Sequence, residues 1–139
     1  MLNAHKVATR LPAKDLDRAR AWYADKLGLH PAEERPGGLR YVIGDGEFVL
    51  FASAGAADGG FTQMAFEVAD LRATMDALRR RGVVFEEYDE GPLPTRDGIV
   101  TVEGNYPSKG TGEFGAWFRD CEGNLIGVGQ STGERRALA

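Results

Sequence analysis

A repeat with a spacing of 55 residues constrains the fold of this chain more than any other feature of its sequence. When Asp15-Leu16 is placed on Asp70-Leu71, apolar residues match on both sides of the pair. In each copy an alternating strand pattern leads into Asp, which favours helix N-termini, and then into an amphipathic helix that ends at Gly. Strand patterns follow each helix. The sequence therefore predicts an α+β fold built from two βαβββ modules.

The strand patterns also predict where individual side chains lie. "LRYVIG" and "EFVLFAS" in the first copy are joined by Asp45-Gly46, a hairpin signal. In the second copy "VVFEEYD", "GAWFRD" and "NLIGVGQ" are typical of strands, and "GIVTVEG" is a candidate short strand. Alternation predicts that Val7, Thr9 and Leu11 face the helices. We expect six further residues to be buried between helices and sheets: Leu16, Tyr23, Met64, Phe66, Leu71 and Leu78.

Length and composition limit the protein class. A chain of 139 residues predicts one domain, residues 1–130, with modules of about 5–55 and 60–130 and a flexible tail at 131–139. The net charge of −4 argues against nucleic acid or an anionic membrane as a partner, because phosphates attract cationic surfaces. Cys121 is the only cysteine, which excludes an internal disulfide and a multi-thiolate zinc site. No apolar run approaches about 18 residues, so we expect a cytoplasmic protein without a membrane segment.

Three motifs carry a family resemblance: "ATRLPAKDLDRARAWYADKLGL", "MAFEVADLRATMDALRRRGVVFEE" and "AWFRDCEGNLIGVGQ". In this order they resemble the vicinal oxygen chelate superfamily, which includes glyoxalase I, extradiol dioxygenases, fosfomycin-resistance enzymes and bleomycin-binding proteins. The third motif is similar to "F-x-D-P-D-G-N", with Cys121 and Glu122 in place of Pro-Asp. The resemblance covers most of residues 6 to 130. It implies curved sheets that form a cup open to a ligand, and a homodimer.

The resemblance also implies four His or Glu metal ligands that point into the cup. Here the corresponding positions hold Ala8, Val49, Gln63 and Gly127. Alanine, valine and glycine side chains offer no donor, and a lone amide cannot hold a transition metal, which needs imidazole, thiolate or carboxylate ligands. His5 and His30 are expected to be exposed. We therefore expect no metal and no cofactor.

Alternation from these positions predicts what lines the cup instead. Arg10, Gln63 and Glu67 are expected to form a polar group there, and the alternative is an Arg10–Glu67 ion pair satisfied internally. We expect Gly127 and Gly129 to leave room for a flat ligand. Further candidate ligand contacts are Phe51 and, as possible wall residues, Tyr41, Trp117 and Arg119.

The segment from Glu90 to Glu113 separates two predicted strands by more than 20 residues, which is long for a compact domain. Tyr106 and Lys109 are its candidate contacts. A lid over the cup, a dimer contact and a mobile loop are equally consistent with its composition.

The function that these features favour is metal-free binding of a small organic molecule. A metal-dependent lyase or dioxygenase of the same superfamily, using non-standard ligands, is the alternative. A metal-free enzyme with Glu67 as general base is disfavoured, because a neighbouring Arg10 would stabilise the carboxylate and weaken it as a base. A non-catalytic interaction module is the fourth possibility. Whether the protein is an enzyme, and which molecule it binds, are left open by the sequence.

Overall fold

The computed structural model describes residues 1–53 and 55–136, and it divides the chain into two compact units. Unit 1 consists of Met1–Gly60 and Asp120–Asn124, and unit 2 of Phe61–Arg119 and the chain from Leu125 onward. The elements of unit 1 are β1 (Thr9–Ala13), α1 (Leu16–Trp22), a π-helical turn (Tyr23–Leu27), β2 (Glu33–Arg35), β3 (Gly38–Ile43) and β4 (Gly46–Ala52). The strands and helix of unit 2 are β5 (Thr62–Glu67), α2 (Leu71–Arg80), β6 (Val100–Glu103), β7 (Gly112–Arg119) and β8 (Leu125–Thr132).

The two sheets have the same topology, which confirms the two predicted βαβββ modules. The strand orders are β1-β4-β3-β2 and β5-β8-β7-β6. In each sheet the first strand of the module runs parallel to the last, and the remaining neighbours are antiparallel. Each helix begins at its predicted cap, because Asp15 Oδ1 accepts from Arg18 N at 2.9 Å and Asp70 Oδ1 accepts from Ala73 N at 3.1 Å.

Unit 1 has an aromatic core between α1 and one face of its sheet. The rings of Tyr41 and Phe48 stack with centroids 4.7 Å apart and an interplanar angle of 1°. Tyr23, from the π-helical turn, packs against both rings at 5.7 and 5.9 Å. Tyr41 is 1% exposed, and burial raises its pKa to about 12. The expectation that Tyr41 is a wall residue of the cup is therefore wrong, because this side chain faces the helix.

Replacing Tyr41 with Phe is expected to raise the free energy of unfolding by about 1 kcal/mol, since the buried hydroxyl has no hydrogen-bond partner among the described residues. Tyr23→Phe is the matched control. The Tyr23 hydroxyl donates to Asp120 Oδ2 at 2.7 Å, so its loss should destabilise the protein by about 1–2 kcal/mol. Urea unfolding of both variants measures the difference. If both variants were destabilised by the same free energy of unfolding, the Tyr41 hydroxyl would have to have a hydrogen-bond partner.

The core of unit 2 lies between α2 and its sheet, and it includes Leu71, Met75, Phe118 and Ile126. The segment "VVFEEYD" does not form the expected strand. Only Phe85 makes a β-bridge, to Phe118, and the ring of Phe85 packs edge-on against that of Phe118 at 5.8 Å. The strand that follows α2 is instead β6, which pairs with β7 and confirms the strand pattern in "GIVTVEG". Phe85 is thus buried by packing against the core, although its segment does not pair along its length as a strand.

Several burial expectations need correction. Tyr23, Leu71 and Leu11 are buried, whereas Leu16, Leu78, Met64 and Phe66 are only half-buried. Val7 is 92% exposed, because pairing with β4 begins at Thr9 and Val7 lies outside the sheet.

The C-terminal boundary differs from the expected one, since Ser131 and Thr132 continue β8. Further on, Arg136 N donates to Pro107 O at 2.7 Å, and residues 137–139 of the expected flexible tail lie outside the described part of the chain. Within the described residues, neither helix is long and apolar enough to cross a membrane.

Candidate functional site

The face of the unit 1 sheet opposite its aromatic core, here called the open face of unit 1, is polar. Cross-strand pairing places Arg10 beside Val49, Val49 beside Arg40, and Arg40 beside Glu33. These residues alternate with the buried Leu11, Tyr41 and Phe48, so they point away from the helix. A cavity of about 320 Å³ lies over this row. Its lining residues are Ala8, Arg10, Glu33, Glu34, Arg35, Gly38, Leu39, Arg40, Glu47 and Val49.

The carboxylates that line this cavity are all paired with cations. Glu47 Oε1 lies 2.6 Å from Lys6 Nζ, and Glu47 Oε2 accepts a hydrogen bond from Arg40 Nε. These two hydrogen bonds hold the pKa of Glu47 below its usual value. Arg40 Nη1 also lies 2.8 Å from Glu33 Oε1, and Glu34 pairs with Arg20. The cavity wall therefore has a network of ion pairs that leaves no free carboxylate among the described lining residues.

Two guanidinium groups on the same cavity have no such partner. Within the described residues, Arg10 and Arg35 form no ion pair with any carboxylate. The side chain of Arg35 folds over Gly38, where a Cβ atom would lie 3.2 Å from Arg35 Nε and 3.3 Å from Arg35 Cγ. Glycine at this position thus lets the guanidinium lie close to the sheet. Arg10 and Arg35 are the cationic groups of this cavity that remain available to a ligand.

In unit 2 the corresponding face is covered around Gly127. Trp117 Nε1 donates to Thr62 Oγ1 at 2.9 Å, and the indole packs edge-on against Tyr88 at 5.7 Å. A Cβ atom at position 127 would lie 3.3 Å from Ala65 Cβ and 3.6 Å from Trp117 Nε1. The space over Gly129 is likewise occupied, by the carboxylate of Glu113. The expectation that both glycines leave room for a flat ligand is therefore wrong, because side chains of neighbouring strands fill that room.

The long segment after α2 contributes to this face of unit 2. Asn105 Nδ2 donates to Ser131 Oγ at 3.2 Å, and Ser131 Oγ donates to Glu67 Oε1 at 3.2 Å. Lys109 Nζ lies 3.6 Å from Glu67 Oε2. Together with Tyr106 these residues border a second cavity of about 260 Å³. These residues of the loop therefore pack against the sheet of unit 2, and the role of the segment as a lid, a dimer contact or a mobile loop stays a prediction.

The contacts of Arg10 and Glu67 bear on the polar group of Arg10, Gln63 and Glu67 that the sequence predicts. Glu67 is paired with Lys109 and Ser131 in unit 2, whereas Arg10 lies on the open face of unit 1 without a carboxylate partner. Because the two residues belong to different units, the alternative of an Arg10–Glu67 ion pair stays a prediction.

Gln63 lies at an irregularity in β5, because the pairing register with β8 shifts between Thr62 and Met64. Its side chain is half-buried, and its Oε1 atom is buried without a hydrogen-bond partner among the described residues. A buried amide oxygen normally accepts a hydrogen bond. Gln63 is therefore a candidate acceptor for a donor group on a ligand.

The residues present do not fit the metal ion that the family resemblance implies. Ala8 and Val49 line the cavity of unit 1 without a donor atom, and Gly127 lies beneath Trp117. Gln63 supplies a single amide, which cannot complete a coordination sphere alone. His5 and His30 are exposed, and the described residues contain no cluster of three or more His, Cys, Asp or Glu that could hold a metal ion.

The predicted contact residues are thus distributed over both faces. Arg10 lines the cavity of unit 1, and Phe51 is half-buried one row further along the same face, opposite Gly38. Gln63, Glu67 and Trp117 belong to unit 2, and Arg119 forms an ion pair there with Glu86 at 2.9 Å. Whether these residues contact a ligand stays a prediction.

Sequence reasoning missed Arg35, Arg40 and Glu47. Alternation along the strand could have predicted Glu47, because it is two residues from Val49 and therefore lies on the same face of the sheet. For Arg40, a two-residue hairpin turn before Gly46 pairs odd-numbered with even-numbered residues, which puts Arg40 opposite Val49 and Tyr41 opposite Phe48. Arg35 also had a signal, because the two-residue turn Pro36-Gly37 makes it the cross-strand partner of Gly38.

Comparisons with known proteins agree with this architecture. The family model of the Glyoxalase/Bleomycin resistance protein/Dioxygenase superfamily matches residues 5–128. Among solved structures, TnmS3, an antibiotic binding protein from Streptomyces sp. CB03234, is 22% identical with a TM-score of 0.63, over 95% of this chain and 99% of that chain.

Two further solved structures are similar. A glyoxalase/bleomycin resistance protein/dioxygenase from Alicyclobacillus acidocaldarius is 17% identical with a TM-score of 0.67, over 94% and 95% of the two chains. The fosfomycin resistance protein FosX from Listeria monocytogenes is 13% identical with a TM-score of 0.64, over 95% and 94%. No curated protein matches the chain. At these identities the structural likeness establishes the fold.

Proposed function

Because the chain belongs to the glyoxalase/bleomycin resistance protein/dioxygenase superfamily, we propose that it binds a small organic molecule on the open face of its sheets without a metal ion. The observation that carries this proposal is the set of side chains at the four positions where the family resemblance implies ligands. Ala8, Val49 and Gly127 have no donor, and Gln63 has a neutral amide. Imidazole and carboxylate groups are what a catalytic zinc or iron site requires.

The cavities support the binding half of this proposal. A volume of about 320 Å³ in unit 1 falls within the range of roughly 300–1,000 Å³ that is usual for sites of small molecules. The ion pairs of Glu47 and Glu33 with Arg40 connect side chains of three neighbouring strands in the wall. A site that is ordered before binding loses less conformational entropy when the ligand arrives.

Two of the similar structures are consistent with this kind of ligand. TnmS3 is described as an antibiotic binding protein, and FosX as a fosfomycin resistance protein. The first description names antibiotic binding, and the second names resistance to fosfomycin. We accordingly propose a small organic ligand for the present chain.

Elemental analysis of the purified protein is expected to find no stoichiometric zinc, nickel, iron or manganese. Addition of these ions should leave the melting temperature unchanged, because no coordination sphere closes around Gln63. A thermal-shift screen of small organic compounds in the presence of a chelator should still find ligands. A compound present at about 100 times its Kd stabilises the native state by about 2.7 kcal/mol.

Gln63→Ala is the matched variant for the elemental analysis. The proposal would be overturned if the wild-type protein contained stoichiometric metal that was absent both from the Gln63→Ala variant and from chelator-treated wild-type protein. That result would restore the metal-dependent lyase or dioxygenase of the same superfamily. Metal that remains in the Gln63→Ala variant would instead be bound elsewhere on the surface.

A further inference from the structure

We propose that Arg10 and Arg35 bind an oxyanion group, a carboxylate or a phosphonate, of the small organic molecule. This inference rests on the proposed function and names the chemical class of its ligand. The site is the cavity on the open face of unit 1, whose lining includes both residues. Guanidinium groups present a planar set of N–H donors that match the oxygen atoms of carboxylates and phosphonates.

The charge balance of the cavity is the first argument. Each of its three carboxylates is bound by a cation. Glu33 pairs with Arg40, and Glu34 pairs with Arg20. Glu47 pairs with both Arg40 and Lys6. Both oxygens of Glu47 are engaged. Arg10 lies diagonally from Glu47, across from Val49, and forms no ion pair with it. Among the residues that the structure describes, Arg10 and Arg35 therefore remain on this face without a carboxylate partner.

The position of Arg35 is the second argument. Arg35 is exposed and is the cross-strand partner of Gly38, so its side chain lies over that glycine with its Nε close to the sheet. Within the described residues no carboxylate forms an ion pair with it. Its N–H donors are therefore open to a ligand anion on this face of the sheet.

The shape of the wall is the third argument. Ala8 and Val49 make the floor beside Arg10 small and apolar. An apolar floor favours the hydrocarbon part of a ligand, while the two guanidinium groups at the same cavity favour its anionic end. An inorganic anion would interact with the guanidinium groups only and would gain nothing from the apolar floor. The combination points to an organic anion.

The experiment compares benzoate and phenylphosphonate with neutral benzamide, using NMR titration of the full-length ¹⁵N-labelled protein in the presence of a chelator. We expect the two anions to bind at least about tenfold more tightly than benzamide and to shift the signals of Arg10, Arg35 and Gly38. Binding of the anions should weaken with added NaCl, because exposed charges are screened by salt. Binding of benzamide should depend little on salt.

Arg10→Ala and Arg35→Ala are each expected to weaken benzoate binding by about tenfold or more, and Arg10→Lys should recover only part of the loss. Arg80→Ala is the control, because Arg80 is an exposed residue of α2 in unit 2. Gly38→Ala tests the geometry without changing charge. Its Cβ would meet Arg35 at 3.2 Å, so it should displace the guanidinium and weaken benzoate binding several-fold.

The outcomes separate this inference from the proposed function. If neither anion binds, if benzamide binds as tightly as benzoate, or if Arg10→Ala and Arg35→Ala bind like Arg80→Ala, the inference is overturned. In those cases neutral or cationic ligands from the thermal-shift screen would still support metal-free binding. If that screen finds no ligand without added metal, the proposed function fails as well.

Discussion

Replacing Asp120 with Ala is expected to lower the free energy of unfolding by about 3–5 kcal/mol, a large fraction of the roughly 5–15 kcal/mol that stabilises a typical domain. The Asp120 carboxylate is buried and accepts hydrogen bonds from three residues of unit 1. Oδ2 accepts from the Tyr23 hydroxyl at 2.7 Å and from Asn124 Nδ2 at 2.9 Å. Oδ1 accepts from Glu122 N at 2.9 Å and from Asn124 N at 3.0 Å. Alanine would leave these buried donors unpaired, which costs more than the bonds themselves contribute.

Urea unfolding of Asp120→Ala at neutral pH measures this effect, with Asp89→Ala as the control for loss of a carboxylate at an exposed position. The control should change stability by less than about 0.5 kcal/mol. Asp120→Asn should be intermediate, because the amide keeps one acceptor atom and loses the charge. A cost below about 1 kcal/mol for Asp120→Ala would show that the donors find other partners.

The second large effect is expected at Glu122, whose side chain is 3% exposed. Its carboxylate accepts from Lys14 N at 2.6 Å, from Asp15 N at 3.2 Å and from Arg18 Nη2 at 2.6 Å. These donors surround the start of α1, where a negative charge also interacts favourably with the helix dipole. Glu122→Ala should destabilise the protein by about 3 kcal/mol, because it removes the buried partner of an ion pair and leaves two backbone N–H groups unsatisfied.

The contribution of Glu122 should depend on pH. Burial raises the pKa of Glu122, but the hydrogen bonds from Lys14, Arg18 and Asp15 outweigh burial and leave the pKa below its ordinary value of 4.5. A carboxylate whose pKa is lowered by folding stabilises the native state above its unfolded pKa, and this stabilisation is lost as pH falls through the folded pKa. The benefit is thus complete well above pH 4.5 and declines in more acidic solution.

Comparison of the wild-type protein with Glu122→Gln isolates this effect, since glutamine keeps the shape of the side chain and cannot ionise. The difference in free energy of unfolding should be largest near pH 7 and should shrink as the pH falls below about 4.5. A difference of equal size at pH 7 and in the acid range would contradict an ionised Glu122 in the native state.

Asp120 and Glu122 both lie in the segment that resembles the "F-x-D-P-D-G-N" hairpin, and their roles explain part of that pattern. Asp120 and Asn124 close the turn by hydrogen bonds to each other, and Gly123 has a φ of 82°, which favours glycine. Glu122 lies where the pattern has Asp, and it binds the N-terminus of α1. The departure from the pattern therefore leaves a carboxylate in place.

The secondary structure and module plan were accessible from sequence because they depend on local chemistry. Asp15 and Asp70 cap their helices through backbone N–H groups three residues away, and the alternation in "LRYVIG" and "EFVLFAS" reflects one buried face. The segment "VVFEEYD" has the same alternation but forms only the Phe85 bridge. A strand needs a paired neighbour, and pairing is a property of the tertiary structure.

The sequence by itself determined that Ala8, Val49 and Gly127 offer no metal donor, because this follows from side-chain chemistry alone. It also determined that Arg10 lies on the open face, because alternation along β1 requires it. Only the tertiary structure decided that Glu67 pairs with Lys109 and that Arg10 forms no ion pair within the described part of the chain. An ion pair depends on the distance between side-chain ends from different strands and loops, and the face assigned to each residue does not specify that distance.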